Sequence, residues 1–178
     1  MIHRVSEWFE VVLFTASIPE YAAPLFQRID RHKVAAAYLF REHCTFHNGL
    51  YVKDLSMLGR SLSEIVIIDN SPLSSLFQPE NAIPCTSWYE DKNDRELLHF
   101  LPILEKLSNV KDVRQVIPEL KDSEGEEFYF DKARKMFQIP DPNQSHHKRS
   151  SSARIFGSTP SITLNLAQKA FLEEPIQE

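Results

Sequence analysis

Two short, uninterrupted apolar runs predict the clearest strands in this sequence. Residues 9–14 and 65–68 are almost entirely apolar and do not alternate between polar and apolar positions. Runs of this length that are rich in β-branched residues are typical of central strands in a parallel sheet covered on both faces. We therefore expect both runs to be buried strands.

Helical spacing of apolar residues predicts three helices around these strands. The first covers residues 19–31, although Pro24 conflicts with a helix interior. The second covers residues 91–107, where leucines form an apolar stripe and Pro102 is expected to cause a kink. Residues 111–117 predict a further short helix.

A hairpin is predicted between these elements. Asn48 and Gly49 stand between apolar flanks in residues 46–52. This dipeptide favours a tight primed turn, because both central positions of that turn need a positive φ. The order strand, helix, hairpin, strand, helix predicts an α/β domain with a parallel core.

The composition of the chain changes near residue 120. Apolar density then falls, and an acidic patch gives way to a stretch with no acidic residue between positions 143 and 170. We therefore divide the chain into a domain at 1–120 and an acidic, then basic and serine-rich extension at 121–178. We expect residues 143–178 to be mostly disordered, with a short helix at 163–172.

Charge and cysteine content exclude some classes of protein. The 178 residues contain 20 Lys and Arg against 25 Asp and Glu, a net charge of -5 that argues against direct binding of nucleic acid. Cys44 and Cys85 are too few for a disulfide framework. No apolar run approaches the ~20 residues of a membrane span, so we expect a soluble, intracellular chain.

Hydroxyl side chains follow the first apolar run at Thr15 and Ser17. Ligands of open α/β sheets bind at the carboxyl ends of the strands, which is where these residues would lie. Serine and threonine also commonly cap a following helix. The residues alone leave ligand binding and helix capping open.

Asp69 and Asn70 follow the second apolar run, at the same edge if the strands are parallel. Their oxygens are hard ligands suited to Mg²⁺. Both residue types also commonly start turns, so the residues alone leave a metal site and a turn open. Lys53 follows the hairpin. It is either a solvated surface charge or an ammonium group placed to neutralise a phosphate at that edge.

These residues belong to a wider resemblance. The chain resembles the FCP-homology phosphatases of the haloacid-dehalogenase superfamily, and most closely the small phosphatases that act on the RNA polymerase II C-terminal domain. Six segments carry the resemblance in the order and spacing of the family, across roughly residues 5–117. They are Val-Val-Leu-Phe-Thr-Ala-Ser at 11–17, Leu-Phe-Arg-Glu at 39–42, Gly-Leu-Tyr-Val-Lys-Asp-Leu at 49–55, Leu-Gly-Arg at 58–60, Ile-Ile-Asp-Asn-Ser-Pro at 67–72 and Asn-Ala-Ile-Pro-Cys-Thr-Ser-Trp at 81–88.

The resemblance implies a haloacid-dehalogenase-like, Rossmann-like α/β fold whose parallel sheet is flanked by helices. It implies a Mg²⁺-dependent protein serine/threonine phosphatase that works through an aspartyl-phosphate. Thr15 and Lys53 are then catalytic residues that hold the phosphoryl group, and Asp69 and Asn70 lie at the Mg²⁺ site.

The resemblance also implies how a substrate is bound. Arg41 and Ser17 would lie beside a phosphopeptide, and Ile18 and Tyr21 would contact a proline-containing peptide. The expected partner is a phosphorylated protein, such as the RNA polymerase II C-terminal domain or a transcription regulator. The expected location is the nucleus, with the cytoplasm as a further site.

One motif of the family does not occur in this sequence. The family's first motif, Asp-x-Asp-x-Thr, supplies the nucleophile and lies on a central strand, yet no two aspartates here are spaced by two. We therefore expect a chain that is truncated at the N-terminus and begins after this motif, with no nucleophile and with two open strand edges inside the sheet. The alternatives are an inactive binding module or isoform, or a non-enzymatic subunit of the import-receptor type.

Overall fold

The computed structural model describes residues 1–121, 128, 130–138 and 159–164. The strands in these ranges are β1 (Glu10–Phe14), β2 (Ala35–Leu39), β3 (Thr45–His47), β4 (Leu50–Val52), β5 (Ile65–Asp69), β6 (Ala82–Pro84) and β7 (Ser161–Leu164). The α-helices in the same ranges are α1 (Ile2–Val5), α2 (Pro19–Ile29), α3 (Glu96–His99), α4 (Leu101–Leu107), α5 (Val113–Val116) and α6 (Phe130–Phe137). None of the helices within the described ranges is long and apolar enough to cross a membrane.

A five-stranded parallel sheet in the order β2-β1-β7-β5-β6 forms the centre of the fold. Alternate residues of its strands point to opposite faces. On one face, Val11, Leu13 and Ile68 pack in a large apolar core with residues of α1, α2, α4 and α5. On the other face, Ile65 and Ile67 pack in a smaller cluster beneath the turns that follow β4. This arrangement confirms the predicted α/β fold with a parallel sheet flanked by helices.

The sequence located the main strands and the hairpin correctly. β1 and β5 occupy the two apolar runs, and every residue of β5 is buried. β3 and β4 pair in an antiparallel ladder, and their turn has φ values of 49° at Asn48 and 84° at Gly49. Both angles lie in the left-handed region that a primed turn requires.

The predicted helices differ from the observed ones mainly at their ends. α2 retains Pro24 in its interior. The long helix predicted over 91–107 is instead divided into α3 and α4, with the break at Phe100 just before Pro102. Its first turn is absent: α3 begins at Glu96 with Arg95 as its N-cap and no side-chain cap, and the Asp94 carboxylate accepts the Glu96 N–H at 2.8 Å.

The largest difference from expectation is β7. The disorder expected for residues 143–178, and the helix expected from residue 163, are wrong for Ser161–Leu164, which form the middle strand of the sheet. The two open edges expected inside the sheet are also absent, because β7 pairs with β1 on one side and with β5 on the other. The other residues of 143–178, apart from 159 and 160, lie outside the described ranges.

The amino end of β7 is held by a carboxylate of β1. The Glu10 N–H donates to the carbonyl oxygen of Pro160 at 2.8 Å, and the Ser161 hydroxyl donates to the Glu10 carboxylate at 2.8 Å. The Arg60 guanidinium donates to both oxygens of the same carboxylate, each time at 2.9 Å. One acidic residue therefore connects β7, β1 and the loop before β5.

Acidification is expected to weaken this connection. The hydrogen bond from Arg60 is the largest influence and lowers the pKa of Glu10 below its ordinary value of 4.5, against the raising effect of burial. Stability that depends on the Glu10 carboxylate is therefore present above pH 4.5 and is lost as the pH falls through the folded-state pKa. Urea unfolding between pH 3 and 7 should show this loss, and Glu10→Gln should flatten it. Glu7→Gln, at an exposed pair with Arg4, is the matched control and should leave the profile unchanged.

A buried hydroxyl in β7 supplies a second test. Thr163 is 0% exposed, and its Oγ1 atom has no hydrogen-bond partner among the described residues. A buried hydroxyl without a partner lowers stability, so Thr163→Val should raise the free energy of unfolding by about 1 kcal/mol. Thr45→Val, at a partly exposed position of β3, should stay within about 0.5 kcal/mol of the parent. A clear loss of stability in Thr163→Val would contradict this assignment.

Candidate functional site

A cavity of about 400 Å³ lies at the carboxyl edge of the sheet. Its walls come from the segments that follow β1, β2 and β5, which are parallel and end at the same edge, and from β4 with the residue after it. The lining residues are Thr15, Ala16, Ser17, Arg41, Leu50, Tyr51, Lys53, Asn70, Ser71, Leu73 and Ser74. The structure therefore brings together most of the residues that the sequence selected.

The segment after β1 presents a threonine hydroxyl to the cavity. Thr15 is buried, and its hydroxyl oxygen accepts the Ser17 N–H at 3.1 Å. A hydroxyl that accepts this bond keeps its own hydrogen as a donor for a ligand. Helix α2 begins with Ile18 as its N-cap and has no side-chain cap. The helix-capping alternative for Thr15 and Ser17 is thus wrong.

A buried ion pair lies beneath the cavity. Lys53 is 0% exposed and Asp69 is 4% exposed, and the Lys53 ammonium lies 2.5 Å from the Asp69 Oδ2 atom. The other Asp69 oxygen accepts the Ser71 N–H at 2.9 Å. The Lys53 nitrogen is also 5.7 Å from the centre of the Phe14 ring. The alternative that Lys53 is a solvated surface charge is therefore wrong.

Arg41 lies at the mouth of the cavity. Its Nε–H donates to the Ala16 carbonyl oxygen at 2.7 Å, and its guanidinium carbon is 5.0 Å from the centre of the Tyr51 ring. These contacts hold the exposed side chain over the segment that follows β1. The guanidinium has five N–H donors, so four remain to bind an anion.

The two apolar residues predicted to bind substrate lie outside this cavity. Ile18 and Tyr21 are at the start of α2, where they are 46% and 69% exposed, and neither lines the cavity. Tyr51 and Leu73 do line the cavity, although the sequence did not predict them as site residues. Tyr51 was detectable in principle, because it lies two residues before Lys53 and alternate residues of an extended segment share a face.

Asp69 and Asn70 have the donor chemistry of a Mg²⁺ site. The Asn70 amide donates to the Ser87 hydroxyl at 3.0 Å, which holds its side chain in one orientation. Carboxylate and carboxamide oxygens suit Mg²⁺, which usually keeps several water or phosphate ligands. Asp69 and Asn70 can therefore supply part of a Mg²⁺ site, with water or phosphate as the remaining ligands. Within the described ranges, no group of three or more His, Cys, Asp or Glu residues could hold a metal ion by itself.

The Cys44 thiol is disfavoured as a nucleophile. Burial raises the pKa of Cys44 above its ordinary value of 9.0, against the lowering effects of Lys53 and Arg41. A protonated thiol is a poor nucleophile. Among the described residues that line the cavity, none carries a carboxylate, an imidazole or a thiol. The arrangement can bind an oxyanion. Among the described residues that line the cavity, the candidate nucleophiles are hydroxyl groups alone, because the ammonium of Lys53 has no free lone pair.

Comparison with known proteins gives one family and a set of close relatives. The sequence profile described as NLI interacting factor-like phosphatase matches residues 1–114. A Dictyostelium discoideum protein named "Probable C-terminal domain small phosphatase" is 52% identical over 122 residues, which cover 68% of this chain and 40% of that protein.

Two human proteins are similarly close. The "Carboxy-terminal domain RNA polymerase II polypeptide A small phosphatase 2" is 52% identical over 120 residues, which cover 67% of this chain and 44% of that protein. The "CTD small phosphatase-like protein" is 51% identical over 119 residues, which cover 67% of this chain and 43% of that protein. The chain matches less than half the length of these curated relatives.

Removing one partner of the buried ion pair should destabilise the fold. Lys53→Met leaves the Asp69 carboxylate buried without its ammonium partner, which should lower the free energy of unfolding by about 3–5 kcal/mol in urea at pH 7. The double variant Lys53→Met with Asp69→Leu removes both charges and should recover most of this loss. A loss below about 1 kcal/mol in the single variant would mean that the pair is solvated.

Proposed function

Because this chain belongs to the NLI interacting factor-like phosphatase family, we propose that it acts on phosphoserine and phosphothreonine in proteins. Its part in the reaction is to bind the phosphoryl group. The observation that carries the proposal is that Lys53, Thr15 and Arg41 all line one cavity. The family membership itself confirms the resemblance carried by the motif segments.

The cationic and hydroxyl groups have distinct roles in this proposal. The Lys53 ammonium lies in a water-poor site, where its charge offsets that of a phosphoryl group more strongly than in water. The Thr15 hydroxyl donates a hydrogen bond to a phosphoryl oxygen. The Arg41 guanidinium, at the mouth, forms charge-assisted hydrogen bonds with the phosphate.

The substrate is proposed to be a phosphorylated peptide segment of a protein. Ser17, Ile18 and Tyr21 follow the phosphate-binding segment along the chain, and the two apolar residues are exposed. They are suited to contact residues beside the phosphorylated side chain. The names of the human relatives support the RNA polymerase II C-terminal domain as one such protein, and with it a nuclear location.

The proposed metal is Mg²⁺, with Asp69 and Asn70 as its ligands from this chain. The bound ion would neutralise charge on the phosphoryl oxygens. Lys53 donates to Asp69, which orients that carboxylate and reduces the repulsion between it and a phosphate. Asp69 is thus suited to bind the metal rather than to attack phosphorus.

A second candidate function is phosphopeptide binding without turnover. The aspartyl-phosphate scheme implied by the resemblance needs an Asp-x-Asp pair, and this sequence contains none. The described residues that line the cavity also carry no carboxylate. These two observations favour a chain that recognises a phosphorylated protein and leaves the ester intact.

One set of samples can separate the two candidates. Phosphoserine-peptide binding is measured by fluorescence anisotropy, and phosphate release is measured with Mg²⁺ and with EDTA. Arg41→Ala should weaken binding of the phosphopeptide by at least about tenfold, because a charge-assisted hydrogen bond is lost. Arg28→Ala, at an exposed position of α2, is the matched control and should stay within about twofold.

Each outcome has a definite meaning. Mg²⁺-dependent phosphate release that disappears in Asp69→Ala, in a sample shown to remain folded, would establish the phosphatase. Selective binding with no release from folded protein would establish the binding module. If the chain does not distinguish the phosphopeptide from its unphosphorylated form, both candidates are wrong.

A further inference from the structure

An exposed aromatic pair on the β3–β4 hairpin continues the wall of the candidate site. Phe46 and Tyr51 are directly opposite each other in the antiparallel ladder, and their ring centres are 5.2 Å apart. Both side chains are accessible, since Phe46 is 66% and Tyr51 is 41% exposed. Tyr51 also lines the cavity, so the pair begins at the cavity and extends away from it along the hairpin.

The Arg41 guanidinium joins this pair to the groups that bind the phosphate. Its carbon lies 5.0 Å from the centre of the Tyr51 ring, and its Nε–H donates to the Ala16 carbonyl oxygen at 2.7 Å. A guanidinium over a ring is attracted by the electron-rich face of that ring. Arg41, Tyr51 and Phe46 therefore form a continuous row of side chains, which we call the aromatic strip.

The aromatic strip differs from a scattered set of exposed apolar side chains. Single exposed apolar residues are normal on a protein surface, whereas contiguous ones mark binding sites. Aromatic residues and arginine are enriched at such sites. Here the Arg41 hydrogen bond and the hairpin ladder already hold the side chains in place, so binding costs little conformational entropy.

We propose that the aromatic strip is a specificity subsite of the phosphopeptide site, and that its occupant is an aromatic side chain near the phosphorylated residue of the peptide. This inference rests on the proposed function, because it requires that the cavity binds the phosphoryl group. It concerns a different surface from Ile18 and Tyr21, which lie at the start of α2.

The length of the strip determines which residue of the peptide reaches it. The centre of the Phe46 ring lies within about 10 Å of the Arg41 guanidinium, since the two steps along the strip are each about 5 Å. An extended peptide advances about 3.3 Å per residue. A phosphate held by Arg41 therefore brings the second and third residues along the peptide over Tyr51 and Phe46.

The chemistry of the strip favours an aromatic occupant over a charged one. The planes of the Phe46 and Tyr51 rings are tilted by 54°, which presents both a face and an edge to a third ring. Offset and edge-to-face ring pairs are favourable beyond the area that they bury. Arg41 would repel a basic side chain of the peptide, and an acidic one would lose its hydration on the apolar rings.

A purely structural role of the pair would have a different signature. Opposite residues in a ladder stabilise a hairpin, which accounts for the contact between the two rings. It does not account for the exposure of Phe46 or for the position of Tyr51 in the cavity lining. A structural role would change the stability of the chain, whereas a subsite changes which peptide the chain prefers.

The first test measures the binding of phosphoserine peptides to the full chain by isothermal titration calorimetry. A parent peptide has only glycine and serine beside the phosphoserine, and four others carry one phenylalanine, two or three residues before or after it. At least one of the four should bind about tenfold more tightly than the parent, as a partly buried aromatic contact allows. Its unphosphorylated form should bind far more weakly, because the phosphate anchors the peptide.

Variants of the strip assign this gain to a residue. Phe46→Thr removes the ring and keeps a residue suited to a strand, so the ratio of the two affinities should fall to about one. Phe46→Tyr should retain the gain. Tyr89→Thr is the matched control and should also retain it, because Tyr89 is 83% exposed and lies outside the cavity lining.

A second measurement covers the case in which Phe46→Thr does not fold. A photoreactive benzoyl group on the phenylalanine of the preferred peptide should cross-link the unaltered chain at Phe46 or Tyr51. Cross-links confined to other segments would overturn the proposal.

The outcomes separate this inference from the proposed function. If the parent peptide binds and phenylalanine adds nothing, or if the gain survives in Phe46→Thr, the subsite is wrong and the phosphate site stands. If none of the phosphopeptides binds, the proposed function is wrong and the subsite is wrong with it. A dimer that Phe46→Thr dissociates, measured by light scattering, would assign the strip to a second copy of the chain and overturn the proposal.

Discussion

A parallel sheet that is covered on both faces must pair the backbone of each of its strands, and here one short strand meets that requirement. β7 joins two pairs of strands that have no ladder of their own between them. Its side chains are buried on both faces, so it contributes to the apolar core as well as to the ladder. The distance between the two halves of the candidate site depends on the same strand.

The candidate site follows from the strand ends and from one buried pair of charges. Lys53 and Asp69 come from different segments, and burial of either charge alone would be strongly unfavourable. Their pairing makes it possible to hold an ammonium group in a water-poor cavity, where it acts strongly on an anion. Thr15 and Arg41 add donors that are held by the backbone after β1. The cavity is thus organised before any ligand is bound.

Several parts of the fold were readable from local patterns. The apolar runs at β1 and β5 and the Asn48-Gly49 turn each have a sequence signal that depends on near neighbours alone. The positions of Thr15 and Asp69 at strand ends followed directly from these elements. β2 and β6 had no comparable signal, because one is rich in alanine and the other is only three residues long. Ile18 and Tyr21 lie outside the cavity because of the way α2 packs on the sheet. Local sequence patterns do not predict that packing.

Local sequence patterns specify the type of sheet, the hairpin and the residues at the carboxyl edge, because apolar periodicity and turn chemistry act over a few neighbouring positions. The burial of Lys53 depends on tertiary structure, since its partner Asp69 is 16 residues away. Tertiary structure also decided that four residues within a polar extension form the central strand, next to a β1 residue 151 positions earlier. A strand of that length is stabilised almost entirely by its two neighbours, so its identity depends on contacts that no local pattern records.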